Sequence, residues 1–182
     1  RRLRDSPFCG FAGQLAVQIA RFLGARKIIV TGRNTQMLAA LGADVCIDLT
    51  ADDLTLQAQF SEQAAQQVDV VVDYLWGRSA ELMLPALAKH SPGNAPVRYV
   101  QVGSLSGAEI ALNGAVLRAA PLQLMGSGIG SLSMPELLAA TGEMLQAAVA
   151  GGFTIATTPL ALSEVANAWP RDNSQKRTVF VI

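Results

Sequence analysis

The chain has 182 residues, 51% of them hydrophobic and 15% charged, enough to bury a sizeable core and too apolar for a disordered protein. Its fourteen basic and fourteen acidic side chains cancel, so charge recommends neither nucleic acid nor an anionic membrane as a partner. No apolar run approaches the roughly 18 to 20 residues of a membrane helix, and Arg1-Arg2-Leu3-Arg4 leads into no hydrophobic signal segment; the expectation is a cytoplasmic protein with a small-molecule ligand.

Residues 1–9 read as a degenerate, solvated tail, and 10–182 as one domain. The chain opens on arginine rather than methionine, which reads as a fragment. Gly10 and Gly13, three apart, open an amphipathic helix in which Leu15, Ala16, Ile19, Ala20, Phe22 and Leu23 recur at helical spacing. A chain turning from strand to helix beside a pyrophosphate needs backbone without Cβ atoms, so that amide groups and the positive helix end reach the anion. Gly10, Phe11, Ala12 and Gly13 are therefore candidate phosphate contacts. The fingerprint wants a further glycine where Ser6-Pro7-Phe8 stands, and the alternative reading, a helix end packed close to a sheet, stays open.

Gly24 can stop this helix, and Lys27 to Thr31 follows as a short, fully buried strand. Asn34 can cap a second helix through Leu41, Gly42 ends it, and Val45-Cys46-Ile47 is the next strand. Asp53 to Gln67 reads as a polar surface helix and Val68 to Asp73 as a central parallel strand. Ser79 to His90 is helical but kinked by Pro85, and Val97 to Val102 is a strand closed by Gly103-Ser104. Leu122 to Gly126 is a short strand, Ser133-Met134-Pro135-Glu136 a capping box before a long helix, Ser163 to Trp169 a small helix, and Thr178 to Ile182 a closing strand. Helices alternating with short apolar strands argue an α/β fold, a doubly wound parallel sheet. Cys9 and Cys46 lack CxxC spacing and His90 has no metal-motif partner, so neither a disulfide framework nor a metal site is expected.

Arg33 stands at the tip of the second strand, where sites that prefer NAD place an acid and a ribose phosphate calls for arginine. No acid lies between Ile28 and Asn34, and Thr31, Arg33 and Asn34 are all phosphate-compatible, which selects NADP(H); Arg33 as an ordinary solvated charge is the alternative. Gly103 and Ser104, at a strand's carboxyl end, lie where a nicotinamide ring would sit, or form a plain turn. Asp73 reads as structural, and Trp76 and Trp169 as packing residues, so no catalytic residue is assigned.

Gly10 to Asn34, with Leu41-Gly42-Ala43-Asp44, Val70-Val71-Val72-Asp73-Tyr74, Val102-Gly103-Ser104 and the closing strand, resembles the cofactor half of the medium-chain dehydrogenase/reductase family, nearest its zinc-independent, quinone-oxidoreductase-like branch. The resemblance implies a Rossmann-like fold and an NADPH-dependent oxidoreductase of quinones, enones or ketones. It also implies an N-terminal catalytic domain, which is expected to be absent, and an apolar central strand where Arg1 to Pro7 stands; that first strand is expected to be missing or degraded, and the chain alone to lack useful activity. A non-catalytic fragment that folds and associates is the alternative, and a methyltransferase is disfavoured by Arg33. Relatives pair the strand equivalent to Leu122 to Gly126 across a two-fold axis, so a homo-oligomer is expected.

Overall fold

The computed structural model describes residues 11–92, 96–169 and 176–182, with only the backbone of Phe11. The expected degenerate tail and first strand, and Gly10, lie outside the described residues. The chain forms two compact units, Arg1–Thr50 with Gly142–Ile182, and Ala51–Thr141.

In the first unit the order is α1 (Phe11–Phe22), β1 (Ile29–Gly32), α2 (Thr35–Ala40) and β2 (Val45–Asp48), and later β6 (Thr157–Ala161), a 3-10 turn at Leu162–Glu164, α7 (Val165–Ala168) and β7 (Arg177–Val181). β1 pairs with β2 and β6 with β7, both in parallel. α1 ends as its sequence demands. Gly24 has φ +86°, its N–H donates to the Arg21 carbonyl and that of Ala25 to the Ala20 carbonyl, a reciprocal pair that a side chain at Gly24 would strain. α2 begins at Asn34, whose Oδ1 accepts from the Met37 N–H at 3.0 Å. Asp44 of the Leu-Gly-Ala-Asp run ties the ends of α1 and β1 together, accepting from the Ile28 N–H at 2.7 Å and from Arg21 Nη2 at 2.6 Å. The Ile28 amide, with Arg21 behind it, holds the Asp44 carboxyl below the usual carboxylate range.

In the second unit α3 (Asp53–Ala65), β3 (Val70–Asp73), α4 (Gly77–His90), β4 (Val97–Gln101), α5 (Val116–Ala119) and β5 (Leu122–Gly126) form a parallel sheet in the order β3-β4-β5. Its core is Ala64, Ala80, Leu84, Leu87, Val97 and Tyr99, with Val71, Trp76 and Leu122 packed against it. α6 (Met134–Gly151) spans the boundary between the two units. Ser133 and Glu136 cap it reciprocally, the Ser133 N–H and hydroxyl donating to Glu136 Oε2 at 2.8 and 2.6 Å.

Several expectations change on contact with the packing. β1 is half-buried rather than fully buried, and β3 exposes Val70 and Val72 on one face. α3 is not polar all round: Leu56, Phe60 and Ala64 bury one face. Trp169 is 79% exposed and does not pack as expected, whereas Trp76 does. β6 has no counterpart in the sequence reading; it contains Pro159, which it tolerates because it is paired on one side only among the described residues. No helix among the described residues is long and apolar enough to cross a membrane.

Candidate functional site

In the first unit, Thr31 and Arg33 stand at the carboxyl end of β1, where a parallel α/β sheet presents its ligand-binding loops. Thr31 is half-buried and Arg33 exposed. Asn34 is also half-buried, but its side-chain oxygen is occupied by the α2 cap, which leaves the amide group as its contribution to a ligand. α1 opens at Phe11 with Ala12 exposed and Gly13 half-buried, and no acid stands in its first turn to oppose an anion at the positive helix end. Asp48 stands opposite Gly32 in the β1–β2 register, beside the β1 tip. Its carboxylate is turned into its own loop. Oδ1 accepts from the N–H and hydroxyl of Thr50 at 2.9 and 2.8 Å, which hold the group below the usual carboxylate range.

In the second unit the carboxyl ends of β3, β4 and β5 surround a shallow depression of about 330 Å³, lined by Trp76, Gln101, Ser104, Ala108, Leu124, Met125 and Gly126. Asp73 closes β3 and builds the turn behind it. Its Oδ1 accepts from the N–H groups of Leu75 and Trp76 at 2.8 and 3.0 Å, and its Oδ2 from the Tyr99 hydroxyl at 2.7 Å. Asp73 is 8% exposed, so these bonds replace water for a carboxylate that burial would otherwise penalise. Burial, followed by the neighbouring Asp73 charge and hydrogen bond, pushes the Tyr99 phenol above its ordinary range. Both oxygens of Asp73 therefore accept hydrogen bonds, Oδ1 from the turn and Oδ2 from Tyr99 on β4.

That turn places Trp76 at φ 59°, ψ −153°, a conformation favoured by glycine that costs other residues on the order of 1 to 3 kcal/mol. Gly77 follows with φ +59°. Gly103 is required for a different reason: a Cβ there would lie 2.8 Å from the Tyr74 carbonyl oxygen, inside contact distance of rigid backbone. Its N–H donates to the Asp73 carbonyl at 3.1 Å, and Ser104 beyond it is exposed at the depression. The structure thus brings Ser104 to a depression and gives Gly103 a packing role beside it. Tyr99, Gln101 and the wall provided by Trp76 were missed. The parallel register pairing Val71 with Tyr99 and Asp73 with Gln101 is the signal that would have found them. His90 lies in the last turn of α4, away from the strand ends. Among the described residues no cluster of His, Cys, Asp or Glu could hold a metal ion.

Comparison with known proteins agrees with this architecture. The model of the family described as "Zinc-binding dehydrogenase" matches residues 12–143. A curated protein of Emericella nidulans named "Probable NADPH-dependent quinone reductase tdiC" is 28% identical, over 94% of this chain and 51% of that protein. Among solved structures, quinone oxidoreductase of Escherichia coli complexed with NADPH superposes with a TM-score of 0.66 at 21% identity, over 96% of this chain and 55% of that one. Quinone oxidoreductase of Pseudomonas syringae superposes with 0.67 at 23% identity, over 96% and 54%. At these identities the structures share the fold with this chain, and the chain spans about half the length of the relatives it matches. The chain belongs to the zinc-binding dehydrogenase family, and the relatives that it resembles here are named as quinone reductases or oxidoreductases.

Proposed function

We propose that this chain is an NADP(H)-binding domain serving hydride transfer to or from a quinone, enone or ketone. The observation that carries the reading is the exposed Arg33 at the carboxyl end of β1, with Asp48, the acid across the ladder, engaged by Thr50. The donor set fits the group: a guanidinium for the 2′-phosphate, assisted by Thr31 and Asn34, and the first turn of α1, at Phe11, Ala12 and Gly13, for the pyrophosphate. Gly10 belongs to the same proposed loop, and Ser104 with Gly103 is proposed to receive the nicotinamide ring. Bound NADP(H) would supply the hydride. What the protein supplies is orientation and charge, since Asp73 is engaged by Leu75, Trp76 and Tyr99, and among the described residues no acid or base lines the depression.

The reading is tested by thermal unfolding with added NADPH. A cofactor at about 100 times its Kd stabilises the native state by about 2.7 kcal/mol, and an unchanged midpoint at millimolar NADPH would remove the proposal. The 182 residues by themselves are expected to bind without useful turnover, because hydride transfer needs a positioned acceptor and exclusion of water that this open depression does not provide. Assay with NADPH and a panel of quinones, enones and aldehydes checks this, and a rate on the order of 1 s⁻¹ or more would contradict it.

Association is proposed through β5. This strand lies at the edge of its sheet among the described residues, with Leu124 38% and Met125 40% exposed, and an apolar edge is normally paired or covered. A homodimer is expected on size exclusion with light scattering, weakened by Leu124→Lys. A monomer at the chain mass of 19.1 kDa, unchanged by that substitution, would show that this edge is not an interface.

A further inference from the structure

Trp76 keeps a bulky side chain at a backbone position that glycine would occupy without strain, and the surrounding bonds force it to stay there. Asp73 holds its N–H, and the Ser79 hydroxyl donates to its carbonyl at 3.1 Å. The indole meets the Tyr99 ring edgewise, with centroids 6.3 Å apart and planes at 65°, and at the same time lines the depression with Gln101, Ser104 and Met125. Gln101 is pinned in turn, its Nε2 donating to the Gly103 carbonyl at 3.0 Å.

We infer that Trp76 is a specificity-determining residue whose indole forms the aromatic wall of this depression and takes a flat conjugated ring, with Tyr99 and Asp73 as the positioning residues that hold it there. The space, about 330 Å³, suits one ring with its substituents rather than a whole dinucleotide. An aromatic wall, a polarisable thioether and two polar groups at the floor favour a planar polar ring over a saturated chain. Two sources share that chemistry, the nicotinamide ring of a bound cofactor and a quinone-type acceptor. The inference rests on the proposed reading of this depression as a ring site and adds the residue that selects the ring.

The chain has two tryptophans, and Trp169→Phe leaves Trp76 as the sole indole reporter. In that background, emission is followed during titration with NADPH, with 2′-phospho-ADP-ribose, which has the same phosphates and no nicotinamide, and with 1,4-naphthoquinone, while calorimetry reports binding independently. The expected result is quenching by NADPH, by naphthoquinone or by both, and none by 2′-phospho-ADP-ribose even where it binds; which ring quenches identifies the source. With the second tryptophan restored, Trp76→Ala is expected to weaken binding of the quenching ring by about 2- to 10-fold, with rescue by Trp76→Phe and no effect on 2′-phospho-ADP-ribose. Tyr99→Phe in the reporter background is expected to lose much of the quench. Heat from the phosphate end without quenching by either ring overturns the inference and leaves the cofactor reading intact. Quenching by naphthoquinone with no heat from NADPH or 2′-phospho-ADP-ribose does the reverse. No quenching by any ligand, or rings bound equally well by Trp76→Ala, overturns the inference.

Discussion

Asp73→Ala is expected to destabilise the second unit by about 3 to 5 kcal/mol, because it strands several donors at once, each buried donor costing about 1 to 3 kcal/mol when left without an acceptor. The N–H groups of Leu75 and Trp76 and the hydroxyl of Tyr99 all end on this carboxylate. Tyr99 is 1% exposed and sits in the core with Leu84 and Val97, so water cannot replace the lost acceptor there without opening the cluster. Asp73→Asn keeps an acceptor for the two amides and lets the phenol accept in place of donating, and should cost much less. Urea unfolding of both variants separates the effects. An alanine variant within 1 kcal/mol of the parent, on the scale of an ordinary surface substitution, would show that the turn does not depend on Asp73.

Arg33→Ala is expected to weaken NADPH binding by about 10- to 100-fold, the worth of a charge-assisted phosphate contact of about 1.5 to 3 kcal/mol, and to leave NADH nearly unaffected. The side chain is exposed, so its removal opens no cavity. Because the contact is electrostatic and open to solvent, the preference for NADPH should also shrink as salt is raised. Competition of each cofactor against a fluorescent nucleotide, in parent and variant, measures the change; an unchanged ratio would free Arg33 of the assignment.

Where chemistry is local, the sequence was readable. Gly24 ends α1, Asn34 caps α2, and Ser133 with Glu136 caps α6, because each effect acts over a few residues whatever the rest of the chain does. Contacts that depend on register were not. Tyr99 lies 26 residues from Asp73, and only the parallel pairing of β3 and β4 brings them together. β6 was hidden for a similar reason, since the partner that makes it a strand, β7, comes later in the chain. Among the candidate site residues, Asn34 and Gly103 show how one residue type serves two purposes: an amide oxygen can cap a helix or meet a phosphate, and a glycine can admit a ligand or a carbonyl. In both cases the protein itself makes the contact that the structure shows, Met37 N–H for Asn34 and the Tyr74 carbonyl for Gly103. Trp76 was legible as a packing side chain, but its backbone conformation follows from hydrogen bonds that no sequence pattern displays.

The central claim is that the end of β1 distinguishes a phosphorylated from an unphosphorylated ribose, and calorimetric titration of the 182-residue chain with NADPH and NADH side by side tests it most directly. The account predicts saturable heat with NADPH and an affinity about 10- to 100-fold above that for NADH. Equal affinities, or no heat from either cofactor, would contradict it.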